Sequence, residues 1–181
     1  MAFVFHFQII NQQIVMLFQT DKKESSYSAW YRRAINLWPC IWCSGGRITF
    51  VSGDFKELHV GLKLGIRTRN RVGTVYGGSI YSSVDPYFML MFMQILGKDF
   101  VVWDKGATVK FIRPITAPVR CRFLITDELV ETVRAQISAN GQYVFELPLQ
   151  YEDDNGRIYV TFTKTVYAAS KEYYKKKKEI Q

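Results

Sequence analysis

Two adjacent glycines, and an acid seven residues after the second of them, are the residues whose types and spacing point most directly to chemistry. They lie in GTVYGGSIYSSVDP, residues 73–86, at the start of an apolar run that continues to Leu96. The run is apolar around a helical wheel, which is typical of a buried helix. Gly78, Ser82, Asp85 and Met89 share one narrow arc of that wheel. An ionised carboxylate there requires polar or charged partners, so we predict that Asp85 is a functional acid, with a hydrogen-bonded structural acid as the alternative.

The Gly77-Gly78 pair predicts a place where a ligand approaches the backbone, because neither residue has a Cβ. The first N–H groups of a helix lack partners within the helix. If Gly78 begins the helix, its amide can stabilise the oxyanion that develops on a carbonyl group. An ordinary tight turn is the alternative. Together, an amide donor and an acid two helical turns later predict a site of acyl transfer.

Pro86 directly follows the acid. A proline inside a helix removes one N–H and disfavours helical geometry at the preceding residue. We therefore predict a bend that turns Asp85 toward the cleft near the helix N-terminus and away from the sheet. A kink that only relieves packing is the alternative.

Length and composition indicate one domain. The chain has 181 residues, of which 48% are hydrophobic, and uninterrupted apolar runs are too short for a membrane span. Residues 1–20 carry no charged side chain and lack the pattern of a signal peptide. We predict a disordered extension there, with an added strand or helix as the alternative. Three cysteines without a secretion signal predict a reducing compartment and a cytoplasmic location.

Two further features are weaker signals. Cys40 and Cys43 form a lone CxxC, and we expect them to pack side by side as small hydrophobes rather than to bind metal.

The net charge is +8, and a lysine run at 175–178 contributes to it. Such a run is usually a solvated tail, although it could attract nucleic acid, an anionic membrane or a phosphorylated substrate. No nucleic-acid-binding motif accompanies it, so we predict no nucleic-acid partner.

The hydrophobic periodicity predicts an α+β fold. An N-terminal helix over Ser28–Cys43 is kinked or ended by Pro39 and closed by two glycines, and Gly78–Leu96 is the long central helix. The predicted strands are Arg47–Val51, Glu57–Leu62, Phe100–Trp103, Ala107–Arg113, Val119–Asp127, Glu131–Ala139, Tyr143–Glu152 and Arg157–Ala168. Short connections make neighbouring strands antiparallel. We predict an N-terminal extension over residues 1–27, a single domain over 28–168 and a basic C-terminal tail over 169–181.

The motif itself resembles a known family. The order Asn70, Gly73, Tyr76-Gly77-Gly78 and Asp85 resembles the hotdog-fold thioesterases of the PaaI-like type. Their motif is Asn, Gly, His-Gly-Gly and then an acid seven residues after the second Gly. The stretch ATVKFIRP, residues 107–114, looks like the strand and Arg-Pro turn that follows the helix in that superfamily. Residues 84–86 with VWDK, residues 102–105, resemble an uncharacterised bacterial branch related to the thioesterase-like C-terminal domain of YiiD.

The resemblance, which runs from about Arg47 to Tyr167, implies a hotdog fold: an antiparallel sheet wrapped around a long helix. It implies a homodimer joined edge to edge, or a dimer of dimers, with an acyl pocket at the interface. The implied reaction is hydrolysis of an acyl-CoA or acyl-carrier thioester, with Asp85 as general base or nucleophile. The Gly78 amide would stabilise the oxyanion, and Asn70 would position substrate or water. The implied substrate-binding residues are Tyr76, Gly77, Ser82, Met89, Arg69, Arg71, Asp104 and Lys105.

Beyond the motif, Arg67, Arg69 and Arg71 are candidates for clamping the phosphates of coenzyme A, since guanidinium groups bind phosphate bidentately. An exposed basic loop is the alternative. Coenzyme A would enter as part of the substrate, and no cofactor or metal is implied.

Two departures from the family pattern support a second interpretation. The motif histidine is replaced by Tyr76, which is neutral at pH 7 and a poor base, and Pro86 interrupts the helix. The main alternative is therefore a non-catalytic acyl- or lipid-binding hotdog protein. A dehydratase is less favoured, because the histidine is missing.

Overall fold

A computed structural model describes residues 20–179, which begin with two helices. Helix α1 (Ser26–Leu37) and helix α2 (Pro39–Ser44) are separated at Trp38, whose backbone is extended just before Pro39. Gly45 ends α2 with φ +83, a left-handed conformation that glycine adopts without strain. The predicted N-terminal helix, its kink at Pro39 and its glycine end are confirmed. The predicted extension over residues 1–19 lies outside the described residues.

The six strands of the described chain form one antiparallel sheet in the order β1-β2-β4-β5-β6-β3. They are β1 (Arg47–Val51), β2 (Glu57–Leu62), β3 (Phe100–Phe111), β4 (Val119–Leu124), β5 (Gln142–Glu152) and β6 (Ile158–Ser170). The first two strands have the predicted bounds. The two short strands predicted around residue 105 are one strand, β3, with a bulge between Asp104 and Gly106.

The central helix is broken where the proline predicts. Helix α3 (Gly77–Ser82) and helix α4 (Tyr87–Leu96) are separated by four residues that end in Pro86. The prediction of one continuous helix from Gly78 is therefore wrong, and the predicted bend is confirmed. Helix α4 packs on the sheet through Phe88, whose ring centroid lies 4.8 Å from that of Phe123 in β4.

The segment predicted as the strand Glu131–Ala139 is instead helix α5 (Asp127–Asn140). Thr126 caps it by accepting a hydrogen bond from the Leu129 N–H at 3.2 Å. The buried residues of this helix follow a helical spacing, which the alternating reading overlooked; they are Val130, Val133 and Ile137. Within the C-terminal segment, Lys171–Glu179 forms helix α6.

The two edges of the sheet differ. At the β1 edge, the Asn36 side chain of α1 donates to the Ile48 carbonyl and accepts from the Ile48 N–H, both at 2.8 Å. Glu24 and Ser28 bond the backbone of Val51 in the same way. These side chains occupy the backbone groups through which another strand would pair. At the β3 edge, no strand among residues 20–179 covers the outer side, and Trp103, Phe111 and Ile112 are exposed.

Candidate active site

The break between α3 and α4 presents Asp85. Ser83, at the end of α3, shares a 2.7 Å hydrogen bond with the buried hydroxyl of Tyr151 in β5, which fixes the turn to the sheet. Pro86 occupies the N-cap of α4 and offers no side-chain hydrogen bond there. The Asp85 side chain is 45% exposed, so solvent reaches its carboxylate.

A buried lysine from the sheet holds that carboxylate. Lys164 of β6 has no exposed surface, and its Nζ donates to Asp85 Oδ1 at 2.9 Å. The same Nζ lies 3.3 Å from Oδ2 of Asp104 and 5.3 Å from the centroid of the Tyr81 ring. The expectation that Asp85 points away from the sheet is wrong, because Lys164 reaches up from β6 and pairs with it.

Lys164 was not among the predicted site residues, although its position in β6 is unusual for a lysine. Along β6 the alternate residues Val160, Phe162 and Val166 are buried, and position 164 falls in the same row. A lysine in a buried row of a strand is rare unless it has a charged partner. Pairing it with Asp85 requires the tertiary structure, since 79 residues separate the two.

The electrostatics of this cluster are asymmetric. Burial lowers the pKa of Lys164, but the hydrogen bond that Lys164 donates to Asp85 and the charges of Asp104 and Asp85 outweigh burial, so the pKa is raised. Burial raises the pKa of Asp104, and the charge of Lys164 offsets this only in part. Asp104 Oδ1 is buried with no hydrogen-bond partner among the described residues. One ammonium group therefore serves two acids and satisfies Asp104 incompletely.

The bulge in β3 brings Asp104 into the cluster. Asp104 pairs with Val166 and Gly106 pairs with Thr165, so one extra residue lies on β3 at this point. The bulge leaves Lys105 exposed, with its Nζ 5.9 Å from the centroid of the Tyr167 ring. Of the two residues predicted to contact substrate here, Asp104 joins the Asp85 cluster and Lys105 does not.

The glycine pair lies at the other end of α3. Tyr76 is the N-cap and makes no side-chain cap, so the first amides of the helix face outward. A groove of about 380 Å³ adjoins this end and includes Gly77, Ile80, Phe111 and Arg113 in its lining. Asp85 does not line it and lies three residues beyond the end of α3.

The exposed ring of Tyr76 crowds Gly78. A Cβ on Gly78 would lie 2.3 Å from Tyr76 Cε1, and Tyr76 is 60% exposed. Only a residue without a side chain, or a shifted tyrosine, fits this turn. Glycine at 78 therefore keeps the backbone amide accessible beside the ring.

Asn70 shapes the loop before the glycines. Its Oδ1 accepts from the N–H groups of Val72 and Thr74 at 3.1 and 3.0 Å, and its Nδ2 donates to Thr74 Oγ1 at 2.8 Å. The amide is therefore engaged within its own turn. No described contact joins Asn70 to Asp85.

The loop arginines point to different places. The guanidinium of Arg67 lies 4.3 Å from the centroid of the Trp42 ring, and that of Arg69 lies beside Gly73. Arg71 is exposed. No described contact links these three groups to the Asp85 cluster, so they do not form one clamp around it.

The remaining candidates occupy different environments. Ser82 is exposed at the end of α3, and Met89 packs partly buried against the core. Within residues 20–179, no three acids, histidines or cysteines are grouped to hold a metal ion. Cys40 and Cys43 are both exposed, so the expectation that they pack as small hydrophobes is wrong.

Several solved structures are similar to this fold. The Pseudomonas aeruginosa protein PA5026, of unknown function and a probable thioesterase, shares 16% identity over 79% of this chain and 95% of its own, with a TM-score of 0.69. A Chlorobaculum tepidum protein of unknown function shares 15% identity over 80% and 94%, with a TM-score of 0.65. The Haemophilus influenzae thioesterase HI1161 shares 12% identity over 82% and 94%, with a TM-score of 0.58. These likenesses show the fold, and the predicted hotdog architecture is confirmed.

Comparison with curated protein sequences gives no significant match. A family model covers most of the chain, over residues 28–168. The matched region begins within α1 and ends in β6, so it includes Asp85, Asp104 and Lys164. The chain therefore belongs to the DUF4442 family, a domain of unknown function.

Proposed function

We propose that the protein hydrolyses an acyl-CoA-like thioester, with Asp85 as the general base. The observation that carries the proposal is a half-exposed carboxylate on the break between α3 and α4, anchored by the buried ammonium group of Lys164. The anchor fixes one oxygen of the carboxylate, the Tyr81 side chain also interacts with this group, and the exposed part of the carboxylate is available to accept a proton. A base must be held within hydrogen-bond reach of its water, and a rigid anchor provides this.

The proposed reaction needs only water and the thioester. Asp85 removes a proton from water as the water oxygen bonds to the carbonyl carbon, and the carbonyl oxygen becomes an oxyanion. The Gly78 N–H donates to that oxyanion. The carbon–sulfur bond then breaks, the acid product is released, and the thiolate takes the proton from Asp85. Asp85 can alternatively attack the carbonyl itself, and water then hydrolyses the resulting anhydride.

One chain does not bring these two groups together. Gly78 lies in the first turn of α3 and Asp85 lies beyond its last turn, in the break before α4, so we place the amide and the acid of one site on different chains. Pairing of the free β3 edge with that of a second copy would bring an amide and an acid together. Gly77 lies beside Phe111, and a Cβ on it would be 3.3 Å from the ring. Asp85 lies beside Asp104 through their common lysine.

A two-fold axis at the middle of β3 therefore completes the site. Pairing two β3 edges antiparallel about a point midway between Asp104 and Phe111 sets these residues opposite each other across the axis. The glycine turn of one protomer then faces Asp85 of the partner subunit. The exposed apolar side chains of the edge, Trp103 and Phe111, support such pairing. We propose a homodimer of this kind, with each site shared by two chains.

Asp85→Asn tests the proposal. Asparagine keeps the size of the side chain and cannot act as a base, so turnover of acyl thioesters should fall by about 10²–10⁴-fold. The measurement is thiol release from a panel of acyl-CoA and acyl-pantetheine substrates of different chain lengths. Asp104→Asn is the matched control, because it removes the other acid on Lys164, and it should retain most of the turnover. Wild-type turnover in Asp85→Asn would contradict the proposal.

One observation favours the alternative of a non-catalytic acyl-binding protein. The Asp85 carboxylate already has a cationic partner, and no histidine accompanies it among the residues of its cluster. In that case the same panel would show tight binding of an acyl thioester without thiol release from any substrate. Calorimetric titration with a non-hydrolysable thioether analogue distinguishes binding from inactivity.

A further inference from the structure

The surface of α1, α2 and the loop after β2 carries large apolar side chains that face solvent. Ile66 is 98% exposed and Leu37 is 77% exposed. The other members of this surface, which we call the tryptophan face, are Trp30, Trp38 and Trp42, all more than half exposed. Scattered apolar residues are common on protein surfaces, but a group of this size marks an interaction site.

The tryptophan face is also strongly basic. Segments 25–53 and 58–84 contain seven basic residues and no acid, nearly the whole net charge of +8. These residues are Arg32, Arg33, Arg47, Lys63, Arg67, Arg69 and Arg71. Of these seven basic residues, Arg32 alone has an ion-pair partner among the described residues, and that partner is Glu24. The other six charges are available to an anionic partner.

The apolar and basic side chains are interleaved. Arg67 stacks on Trp42, with its Cζ 4.3 Å from the ring centroid. Leu37, Trp42, Arg47, Lys63 and Arg67 together line a groove of about 570 Å³. The two kinds of side chain therefore form one continuous surface.

We propose that the tryptophan face docks the protein on the surface of an anionic lipid bilayer. Tryptophan favours the boundary between headgroups and acyl chains, and leucine and isoleucine insert below it. Arginine and lysine beside them attract anionic headgroups. No helix within residues 20–179 is long and apolar enough to cross a membrane, so the proposed contact is a surface contact.

Other occupants match this face less well. A second copy would set seven basic residues against the same seven, and like charges across an interface are costly. A nucleic acid would match the charge but not the fully exposed aliphatic side chains Leu37 and Ile66. Residues 1–19 carry no acidic side chain to neutralise the face.

Vesicle co-sedimentation of the full-length chain tests this inference. The protein should sediment with vesicles of phosphatidylcholine and phosphatidylglycerol and not with phosphatidylcholine alone. Binding should weaken as salt is raised, because salt screens the headgroup attraction. Trp38→Ala/Trp42→Ala and, separately, Lys63→Glu/Arg67→Glu should each lower the partition coefficient by about tenfold or more.

Matched controls make the result specific to the tryptophan face. Leu124→Ala/Val144→Ala removes two exposed apolar side chains from β4 and β5, and Lys175→Glu/Lys178→Glu makes the same charge change on α6. Both should bind like wild type. All substituted side chains are exposed, and circular dichroism confirms folding. The inference is overturned if the wild type ignores anionic vesicles, or if the control variants lose as much binding as the face variants. It is also overturned if the face variants lose self-association or duplex-DNA binding instead.

Discussion

The two edges of this sheet differ in whether other groups bind their outer backbone atoms. Along β1, side chains of α1 bind the backbone groups of the edge, and Asn36 substitutes for a neighbouring strand at Ile48. Along β3, a strand more than twice as long leaves its outer side uncovered among the described residues. A free edge is a hazard that proteins normally remove. The protection of one edge and not the other supports the proposed pairing of β3 with a second copy of the chain.

A buried acid lies near each edge, and the two differ in the same way. Glu57 of β2 is ion-paired with Arg122 at 2.8 Å and accepts hydrogen bonds from His59 and Thr20. These bonds outweigh burial, so the pKa of Glu57 is lowered. Asp104 of β3 shares one lysine with Asp85, and its pKa is raised by burial. The acid near the covered edge has ionic and hydrogen-bond partners that outweigh its burial, and the acid near the open edge does not.

Removing the lysine should have the largest effect on stability. Lys164→Met would leave Asp104 buried without a cation, and breaking a buried ion pair in this way costs about 3–5 kcal/mol. Urea unfolding measures this loss. Adding Asp104→Leu to Lys164→Met should restore part of the stability, since no unpaired buried charge then remains. A Lys164→Met protein as stable as wild type would show that the cluster is not a stabilising ion pair.

Opening the covered edge should have an intermediate effect. Asn36→Ala deletes two hydrogen bonds to Ile48, whose backbone is buried, and leaves a donor and an acceptor unpaired at a cost of about 1–3 kcal/mol. Because no described contact joins Asn36 to Asp85 or Gly78, thioester turnover per folded protein should not change. An unchanged free energy of unfolding would mean that water replaces the Asn36 amide and that α1 does not protect the edge.

The smallest effect should be a difference in pH dependence. A lowered pKa means that the stability from Glu57 is present above its ordinary value of 4.5 and is lost as pH falls through the lowered pKa. A raised pKa means that the folded protein binds the proton of Asp104 more tightly. Stability from this group therefore declines as pH rises from 3.8 toward the raised value.

Comparing wild type with Glu57→Gln and with Asp104→Asn separates the two contributions. Between about pH 3 and pH 7, the difference in unfolding free energy between wild type and Glu57→Gln should rise with pH. The difference between wild type and Asp104→Asn should fall. Slopes of the same sign would contradict the contrast between the satisfied and the unsatisfied acid.

Local patterns predicted much of this fold. Alternation gave β1 and β2 their observed bounds, and the Pro86 rule placed the break before α4. Helix α5 was missed because Val133, Ala135, Ile137 and Ala139 alternate with polar residues, which resembles a strand when Val130 and the Thr126 cap are ignored. The glycine-acid motif located the start of α3 at Gly77 and the break after it at Asp85. It did not predict that the glycine turn and the acid lie at opposite sides of this helix.

The rest of the site depends on tertiary contacts. Lys164 lies far from Asp85 in the sequence, and its role follows from the pairing of β6 with β3. The bond between Asn36 and Ile48 likewise appears only when α1 packs beside the sheet. Such contacts join segments that carry no shared local signal, so one sequence alone does not reveal them.

Mixing two inactive variants tests most directly whether the open edge builds a shared thioesterase site. Asp85→Asn removes the proposed base. Gly78→Pro removes the proposed amide donor in the first turn of α3, where proline is tolerated, and it is made together with Tyr76→Ala, which removes the ring that a side chain at position 78 would meet. Each variant alone should be nearly inactive. After unfolding and refolding together, half of the dimers should contain both variants, and each of these should have one intact site. Turnover should then recover to about one quarter of wild type. No recovery, with dimers confirmed by light scattering, would contradict a site shared across β3.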